Sequence, residues 1–172
     1  MTTPTQEFTA TMERMFGSDE AMGVYFTLEE DNARISLKEH AAMSEKLGDD
    51  MPGTISYLPN GGSAVCCTDY AAEIFTRLPG RVQIFGFANH DNPDCKIARD
   101  ELHPGGHDFA VVDGRYIVDP WPRLVCSAFD QMVFDLVGEG AAQALKFYGP
   151  KACWQRMALC EKKAADDARL AA

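Results

Sequence analysis

The 172-residue sequence contains no run of roughly 18 uncharged apolar residues, the length that a membrane-spanning helix requires. Its first segment, MTTPTQEFTATMERMF, also lacks the basic region followed by an apolar stretch that marks a secretory signal. Basic residues are few: 16 Lys and Arg face 26 Asp and Glu, and the net charge is -10. We therefore expect a cytoplasmic chain when made, with no membrane partner and no nucleic-acid partner, because nucleic acids require a basic face.

Motifs that hold metals or nucleotides are missing as well. The sequence has no C-x-x-C pair and no H-E-x-x-H, and the spacings of His90, Cys95, His103 and His107 fit no standard zinc site. Gly61-Gly62-Ser63 is not followed by the Lys-Ser/Thr pair of a phosphate-binding loop. We expect neither a metal nor a cofactor.

Six cysteines are present, at positions 66, 67, 95, 126, 153 and 160. An even number can form disulfide bonds in a short secreted protein, but this chain is not short and carries no recognisable export signal. We expect most of the thiols to be reduced. Cys126, Cys153 and Cys160 lie among apolar residues, which predicts small core side chains at these positions.

The length and a composition of 46% hydrophobic and 24% charged residues are typical of one globular domain. Apolar periodicity and turn residues predict, in order, a helix with Phe8, Met12, Met15 and Phe16 on one face, a helix over 33–47, a loop over 51–63, a helix over 64–78, a strand over 81–88, a polar connection over 89–106, a hairpin over 105–121, and helices over 127–136, 141–148 and from Pro150 onward. This order predicts an α+β domain over 1–172, with a core at about 51–125 and flanking helices in 1–50 and 126–172.

The hairpin GGHDFAVVDGRYIVDPW carries a histidine near its start and an aspartate near its end. A two-residue loop at Asp113-Gly114 would place His107 and Asp119 on opposite faces of the sheet. A three-residue loop that pairs Val111 with Arg115, with Gly114 left-handed, would make the two side chains direct cross-strand neighbours. We favour the second register, because it lets the carboxylate orient the imidazole.

A nucleophile for this pair is predicted in SAVCCTDYAAEIF, residues 63–75, where a glycine-rich loop leads into a helix. A thiol in the first helical turn is favoured as thiolate by the helix dipole and by a nearby imidazolium, and the free N–H groups there can bind an oxyanion. Either Cys66 or Cys67 could serve, and the two could instead be redox-active. Cys67 is preferred because Tyr70, Ala71 and Ile74 follow it on the packed side of the helix. Side-chain donors for the oxyanion could come from Asn60 or Tyr57.

Cys67-Thr68-Asp69-Tyr70-Ala71, then His107, then Tyr116-Ile117-Val118-Asp119-Pro120 resemble the papain-like and transglutaminase-like cysteine enzymes, which share the C-x-D-[FY]-A helix start and the H…DP strand pair. The resemblance covers residues 61–121. It implies Cys67 as nucleophile, His107 as general base and Asp119 as orienting group, on a papain-like fold whose catalytic helix packs on a small antiparallel sheet. The second cysteine and the short interval between His107 and Asp119 depart from the pattern.

The function expected from this resemblance is hydrolysis of an amide bond in a protein substrate, as a protease or a glutamine deamidase, with acyl transfer to an amine equally open. Small members of this superfamily include bacterial toxins and effectors injected into other cells, so a host or rival-cell protein is an expected substrate, reached by secretion that needs no signal. Two rivals are an inactive binding module that uses the acidic N-terminal helices and a peptidoglycan amidase. Trp121 is expected in the core, with a lid over the His-Asp bond as the alternative.

Overall fold

The computed structural model describes residues 3–171 and contains α-helices together with antiparallel sheets, which confirms the α+β class. The helices are α1 (Pro4–Phe16), α2 (Asp19–Met22), α3 (Leu37–Leu47), α4 (Cys67–Arg77), α5 (Lys96–Arg99), α6 (Trp121–Leu124), α7 (Ala141–Tyr148) and α8 (Ala158–Ala171). The strands are β1 (Tyr25–Leu28), β2 (Arg34–Ser36), β3 (Thr54–Tyr57), β4 (Val82–Ala88), β5 (Gly106–Val112), β6 (Tyr116–Val118), β7 (Val133–Asp135) and β8 (Gln155–Arg156). Short 3-10 turns lie at Gly48–Asp50, Asn89–Asp91, Gly138–Gly140 and Lys151–Cys153.

A five-stranded antiparallel sheet in the order β7-β6-β5-β4-β8 organises the larger part of the core. Its central strand β5 is buried on both faces, since alternate residues point to opposite sides of a strand. Ala110 and Val112 belong to one apolar cluster, together with Ile74 of α4. Phe109 and Val111 belong to a second cluster, which α5 and α7 help to cover. The sheet is therefore packed between two layers, with α4 on one side.

The N-terminal helix α1 begins with a capping box, in which the Thr3 side chain accepts from the Gln6 N–H and the Gln6 side chain accepts from the Thr3 N–H. Its apolar face buries Met12 and Phe16 completely, while Phe8 stacks on Tyr116 with ring centroids 4.0 Å apart. The face predicted from the 3.6-residue period is the one that packs against the core.

A second, three-stranded sheet in the order β2-β1-β3 lies in the N-terminal third of the chain, where only helices and a loop were predicted. Part of the predicted helix over 33–47 is β2, and α3 begins only at Leu37 behind a Ser36–Glu39 capping box. The predicted loop over 51–63 contains β3. These strands are only three or four residues long and largely half-buried, and β3 pairs with β1 from a distant part of the chain, so local periodicity does not indicate the sheet.

The C-terminal third also differs from the prediction. Residues 127–136 were expected to be helical, but β7 lies there, with Phe134 fully buried and Val133 paired with Val118 of β6. The helix expected from Pro150 begins only at Ala158, after a 3-10 turn and the short strand β8. Valine and phenylalanine favour strands once a neighbouring strand offers hydrogen bonds, and that partner is distant in sequence. The predictions of β4 and α7 are confirmed.

The β5–β6 hairpin has neither of the two registers considered from sequence. Asp113 and Gly114 both have positive φ, 52° and 66°, and the Arg115 N–H donates to the Val112 carbonyl, as in a type I′ turn. Pairing then resumes with Tyr116 opposite Val112, so Arg115 is an extra residue on its strand. The favoured pairing of Val111 with Arg115 is therefore wrong by two positions, yet odd-numbered residues of both strands still share one face.

All six cysteines are free. Cys67 and Cys95 are buried, whereas Cys126, Cys153 and Cys160 are only half-buried, so the prediction that the last three are core side chains is wrong. Each of them lies where an apolar stretch meets the surface rather than in the sheet interior.

None of the helices in residues 3–171 combines the length and the apolar character needed to cross a bilayer.

The hairpin turn gives a test of this register. Gly114→Ala should lower the free energy of unfolding by about 1 kcal/mol, because an L side chain is disfavoured at a φ of 66°. Gly114→Asn is the matched control and should retain most of the stability, since asparagine tolerates the left-handed region. Urea denaturation followed by circular dichroism measures both. Equal stability of the alanine and wild-type proteins would contradict the turn described here.

Candidate active site

The three residues singled out from the sequence lie together in the interior. Cys67 is the first residue of α4, His107 is the second residue of β5, and Asp119 follows directly after β6. Their exposed fractions are 4%, 2% and 3%. A thiol, an imidazole and a carboxylate from three separate parts of the chain are thus all buried in the interior.

The imidazole and the carboxylate are directly hydrogen-bonded. His107 Nε2 lies 2.6 Å from Asp119 Oδ2, and both side chains are almost fully buried. Among the described residues, the other ring nitrogen of His107, Nδ1, has no hydrogen-bond partner. With Nε2–H donating to the carboxylate, Nδ1 carries a free lone pair and can accept a proton.

The register explains how this pair forms. Extending the pairing of Ala110 with Val118 by one residue sets Phe109 opposite Asp119, so His107 is the diagonal neighbour of the carboxylate rather than its direct partner. Diagonal positions on one face are roughly 7–8 Å apart at Cα, a span that an aromatic ring bridges. The predicted proximity is present, but through a different register.

A fourth residue, Tyr148 at the end of α7, holds the carboxylate. Its hydroxyl donates to Asp119 Oδ2 over 2.8 Å, the same oxygen that His107 contacts. The backbone carbonyl of Tyr148 accepts from Asn92 Nδ2 and from Trp154 Nε1, which fixes the end of the helix. Burial and the Asp119 charge both raise the pKa of the Tyr148 phenol well above 10, so it remains a donor.

Aromatic rings enclose the His107 imidazole. Trp121 lies closest, with ring centroids 5.2 Å apart, and Phe109, Tyr148 and Phe87 have centroids 6.1, 6.2 and 6.3 Å away. Trp121 is itself buried, as expected of a core residue, and it also covers the imidazole as the alternative reading anticipated. These rings exclude water from the His107–Asp119 bond.

The charge state of His107 reflects opposing influences. Burial is the largest influence and disfavours the imidazolium, but the Asp119 carboxylate and an electrostatic interaction with Cys67 outweigh it and raise the pKa of His107 from 6.5 to about 10. Cys67 and His107 also line the same groove. The imidazole is therefore stabilised in its protonated form between a carboxylate and a thiol.

Cys67 occupies the positive end of a helix. Cys66 is the N-cap residue of α4, and its carbonyl accepts from the N–H groups of Asp69 and Tyr70. The N–H groups of Cys67 and Thr68 have no acceptor among the described residues. The helix dipole and these two free donors favour negative charge on the thiol, and on an oxygen placed beside it.

The loop before α4 is tied to the helix by buried polar groups. Asp69 accepts from the Ser63 N–H, and Glu73 accepts from the Asn60 N–H. The Asn60 side chain accepts from the Gly62 N–H and donates to the Asp69 carbonyl. Asn60 therefore braces the loop, and its amide is not free for the oxyanion role considered from sequence.

Trp121 and Tyr70 complete this brace. Trp121 Nε1 donates to the Val65 carbonyl over 2.9 Å, and the Tyr70 hydroxyl donates to the Ala64 carbonyl over 3.3 Å. The aromatic side chain that covers His107 is thus also bonded to the loop that delivers the cysteine. This contact couples the position of the helix end to that of the hairpin.

A groove of about 410 Å³ opens onto the site. Its lining residues come from the start of α4, the end of β4, the 103–108 segment and β8, and they are Cys66, Cys67, Thr68, Gly86, Phe87, Ala88, His103, Pro104, Gly105, Gly106, His107, Asp108, Gln155 and Met157. Cys67 and His107 are thus buried in the protein yet border a space that a substrate segment can enter.

Cys66 lines the same groove and is half-buried, but it precedes the helix and serves as its N-cap. Within residues 3–171, no group of three or more His, Cys, Asp or Glu side chains is arranged to hold a metal ion. Of the cluster considered from sequence, Cys95 instead caps α5 by accepting from the Ala98 N–H.

The chain matches no protein-family model, no curated protein and no solved structure. The chemistry of the site therefore has to be argued from its own geometry.

Sequence reasoning missed Tyr148 and the bond from Trp121 to the loop. Tyr148 lies 29 residues beyond Asp119, on a helix whose pattern indicates only an apolar face. Neither contact leaves a local signal, because each joins segments that are distant in sequence.

The Tyr148 hydrogen bond predicts a stability effect. Tyr148→Phe should lower the free energy of unfolding by about 1–3 kcal/mol, because a buried carboxylate loses one of its donors. Tyr57→Phe is the control, since the Tyr57 hydroxyl has no hydrogen-bond partner within the described part of the chain. A Tyr148→Phe protein as stable as wild type would contradict the contact.

The raised pKa of His107 predicts a pH dependence. The folded protein keeps this proton up to about pH 10, whereas the unfolded chain releases it near pH 6.5. The resulting stabilisation is complete below pH 6.5 and is lost as the pH rises through 10. Urea unfolding at pH 6 and pH 9 should show a larger loss of stability for wild type than for His107→Gln. Parallel losses in the two proteins would refute the assignment.

Proposed function

We propose that this chain is a cysteine hydrolase with a papain-like arrangement, in which Cys67 attacks an amide carbonyl of a protein substrate. One observation carries the proposal: His107 is held by Asp119 through Nε2, its Nδ1 has no partner among the described residues, and Cys67, at a helix N-terminus, lines the same groove as His107. Nucleophile, base and orienting group in this relation are what acyl transfer requires.

In the first half of the reaction, Cys67 and His107 react as a thiolate–imidazolium pair, in which His107 Nδ1 holds the proton of the former thiol, and the sulfur attacks the amide carbon. The carbonyl oxygen becomes an oxyanion, and the free N–H groups of Cys67 and Thr68 at the start of α4 are the donors proposed to bind it. The C–N bond then breaks as Nδ1–H gives its proton to the departing nitrogen. A thioester on Cys67 and a free amine or ammonia result.

In the second half, a water molecule loses a proton to His107 Nδ1 and attacks the thioester carbon. The carbon–sulfur bond breaks, the carboxylic acid leaves, and the proton taken from water stays on His107 Nδ1, which restores the thiolate–imidazolium pair. Cleavage of a peptide bond and deamidation of glutamine differ only in the leaving nitrogen. If an amine replaces the water, the product is a new amide.

Asp119 and Tyr148 act through His107. The carboxylate fixes the ring through Nε2, which leaves Nδ1 for the thiol proton, and it stabilises the imidazolium formed when the thiol ionises. Tyr148 holds the carboxylate in place, and Trp121 covers the bond. This environment keeps the proton on the imidazole near neutral pH, which is the condition for a thiolate–imidazolium pair.

Cys67 rather than Cys66 is proposed as nucleophile. Cys67 interacts with the imidazole, and its own N–H is one of the two free donors, whereas Cys66 caps the helix from outside. The order Cys, His, Asp and the packing of α4 on an antiparallel sheet support the papain-like and transglutaminase-like family as its class. That class, at this size, favours a bacterial effector or toxin whose substrate is a protein of another cell.

The proposal predicts selective alkylation. Iodoacetamide at pH 6 should modify Cys67 at least about tenfold faster than the other five cysteines. In the proposed mechanism only this thiol is activated both by an imidazolium and by a helix N-terminus. Peptide mass spectrometry gives the rate at each site. Cys66→Ser is the matched control and should leave the Cys67 rate nearly unchanged, while His107→Gln should slow it. Uniform labelling of all six cysteines would contradict the proposal.

Substrate turnover is tested by incubating wild type and Cys67→Ala with host-cell and bacterial lysates. A new peptide terminus, a mass gain of about 1 Da at glutamine, or a cross-linked amine that depends on Cys67 supports the respective reaction. Purified peptidoglycan in a parallel incubation tests the amidase rival. A biological effect that persists in Cys67→Ala would instead favour the binding-module rival.

A further inference from the structure

The groove beside Cys67 has one carboxylate in its lining, that of Asp108. No lysine or arginine is among the lining residues. Asp108 directly follows His107 on β5, and Thr68, its hydrogen-bonding partner, directly follows Cys67 on α4. The carboxylate therefore borders the groove immediately beside the two residues proposed to react.

Asp108 is held in place by neutral groups. The Thr68 hydroxyl donates to Asp108 Oδ2, and within the described residues no cationic side chain pairs with this carboxylate. On the adjacent strand, Gly86 leaves room for the other carboxylate oxygen: a Cβ at position 86 would lie 2.0 Å from Asp108 Oδ1. The surroundings position the negative charge without neutralising it.

Two cationic groups that belong to the lining or directly follow a lining residue already have carboxylate partners. Arg156 of β8 pairs with Glu161, and the His107 imidazole is bonded to Asp119. His103, an imidazole rather than a lysine or arginine, also lines the groove. The groove is therefore negative whether Cys67 is a thiol or a thiolate, because Asp108 has no counter-charge.

We propose that Asp108 is a specificity-determining residue that selects substrates carrying a lysine or arginine side chain next to the amide that reacts. The inference rests on the proposed function, since it concerns the groove that serves Cys67. A cationic side chain laid along the groove supplies the missing counter-charge, whereas an acidic side chain would meet an uncompensated carboxylate. The substrate class is thus a basic segment of a protein.

Charged thiol reagents test this without requiring turnover. Methanethiosulfonates transfer an alkylthio group to a thiolate and release methanesulfinate, and they are available with a trimethylammonium or a sulfonate end group. The rate at Cys67 is measured by mass spectrometry in a Cys66→Ser background, and the ratio of cationic to anionic rates is divided by the same ratio for free cysteine. We expect a normalised ratio above 1 that falls towards 1 as salt is raised.

Asp108→Asn should lower this ratio by about fivefold, while its amide oxygen still accepts the Thr68 hydrogen bond. Asp50→Asn, on an exposed 3-10 turn outside the groove, changes the net charge equally and should leave the ratio unchanged. An equal fall in both variants would assign the effect to net charge and overturn the inference.

A second measurement uses the reaction itself. Turnover of a degenerate peptide mixture by wild type should enrich products with lysine or arginine next to the reacting amide, and Asp108→Asn should lose this preference mainly through a higher KM. A reactive Cys67 with no charge preference would overturn the inference and leave the proposed function standing. A Cys67 no more reactive than the other cysteines would overturn both.

Discussion

A hydrogen bond of 2.6 Å joins the Asp119 carboxylate to His107 Nε2 beneath a cover of aromatic rings. An ionised carboxylate in such surroundings is tolerated only if donors replace the water it has lost. Here Tyr148 supplies the second donor from α7. The remaining ring nitrogen of His107 is thereby left without a hydrogen-bond partner among the described residues. The reactivity proposed for the Cys67 thiol therefore depends on the His107–Asp119 bond.

The backbone also helps to position the His107 and Asp119 side chains. In the hairpin, the extra residue Arg115 sets the register, and this register places His107 and Asp119 on one face. The loop that leads into α4 is held by hydrogen bonds of Asn60 and Trp121. The hairpin and this loop are therefore each positioned by contacts outside the reacting groups themselves.

Several features were predictable from sequence because they depend on neighbouring residues. The apolar period of α1, the start of α4 after a glycine-rich loop and the apolar run of β4 all agree with the structure. The three-stranded sheet, β7 and Tyr148 as a partner of Asp119 were missed. The pairing of β1 with β3, the pairing of β6 with β7 and the Tyr148–Asp119 bond each join segments more than a dozen residues apart, for which a single sequence carries no local signal.

By itself, the sequence determined the chemical groups: a thiol at a helix start, and a histidine and an aspartate at the open ends of one hairpin. It also determined that the two hairpin residues could share a face, because side chains alternate along strands. Tertiary structure alone decided the register, the donor from Tyr148 and the carboxylate of Asp108 beside the groove. The reason is physical: periodicity is local, whereas burial and hydrogen-bond partners are set by which distant segments pack together.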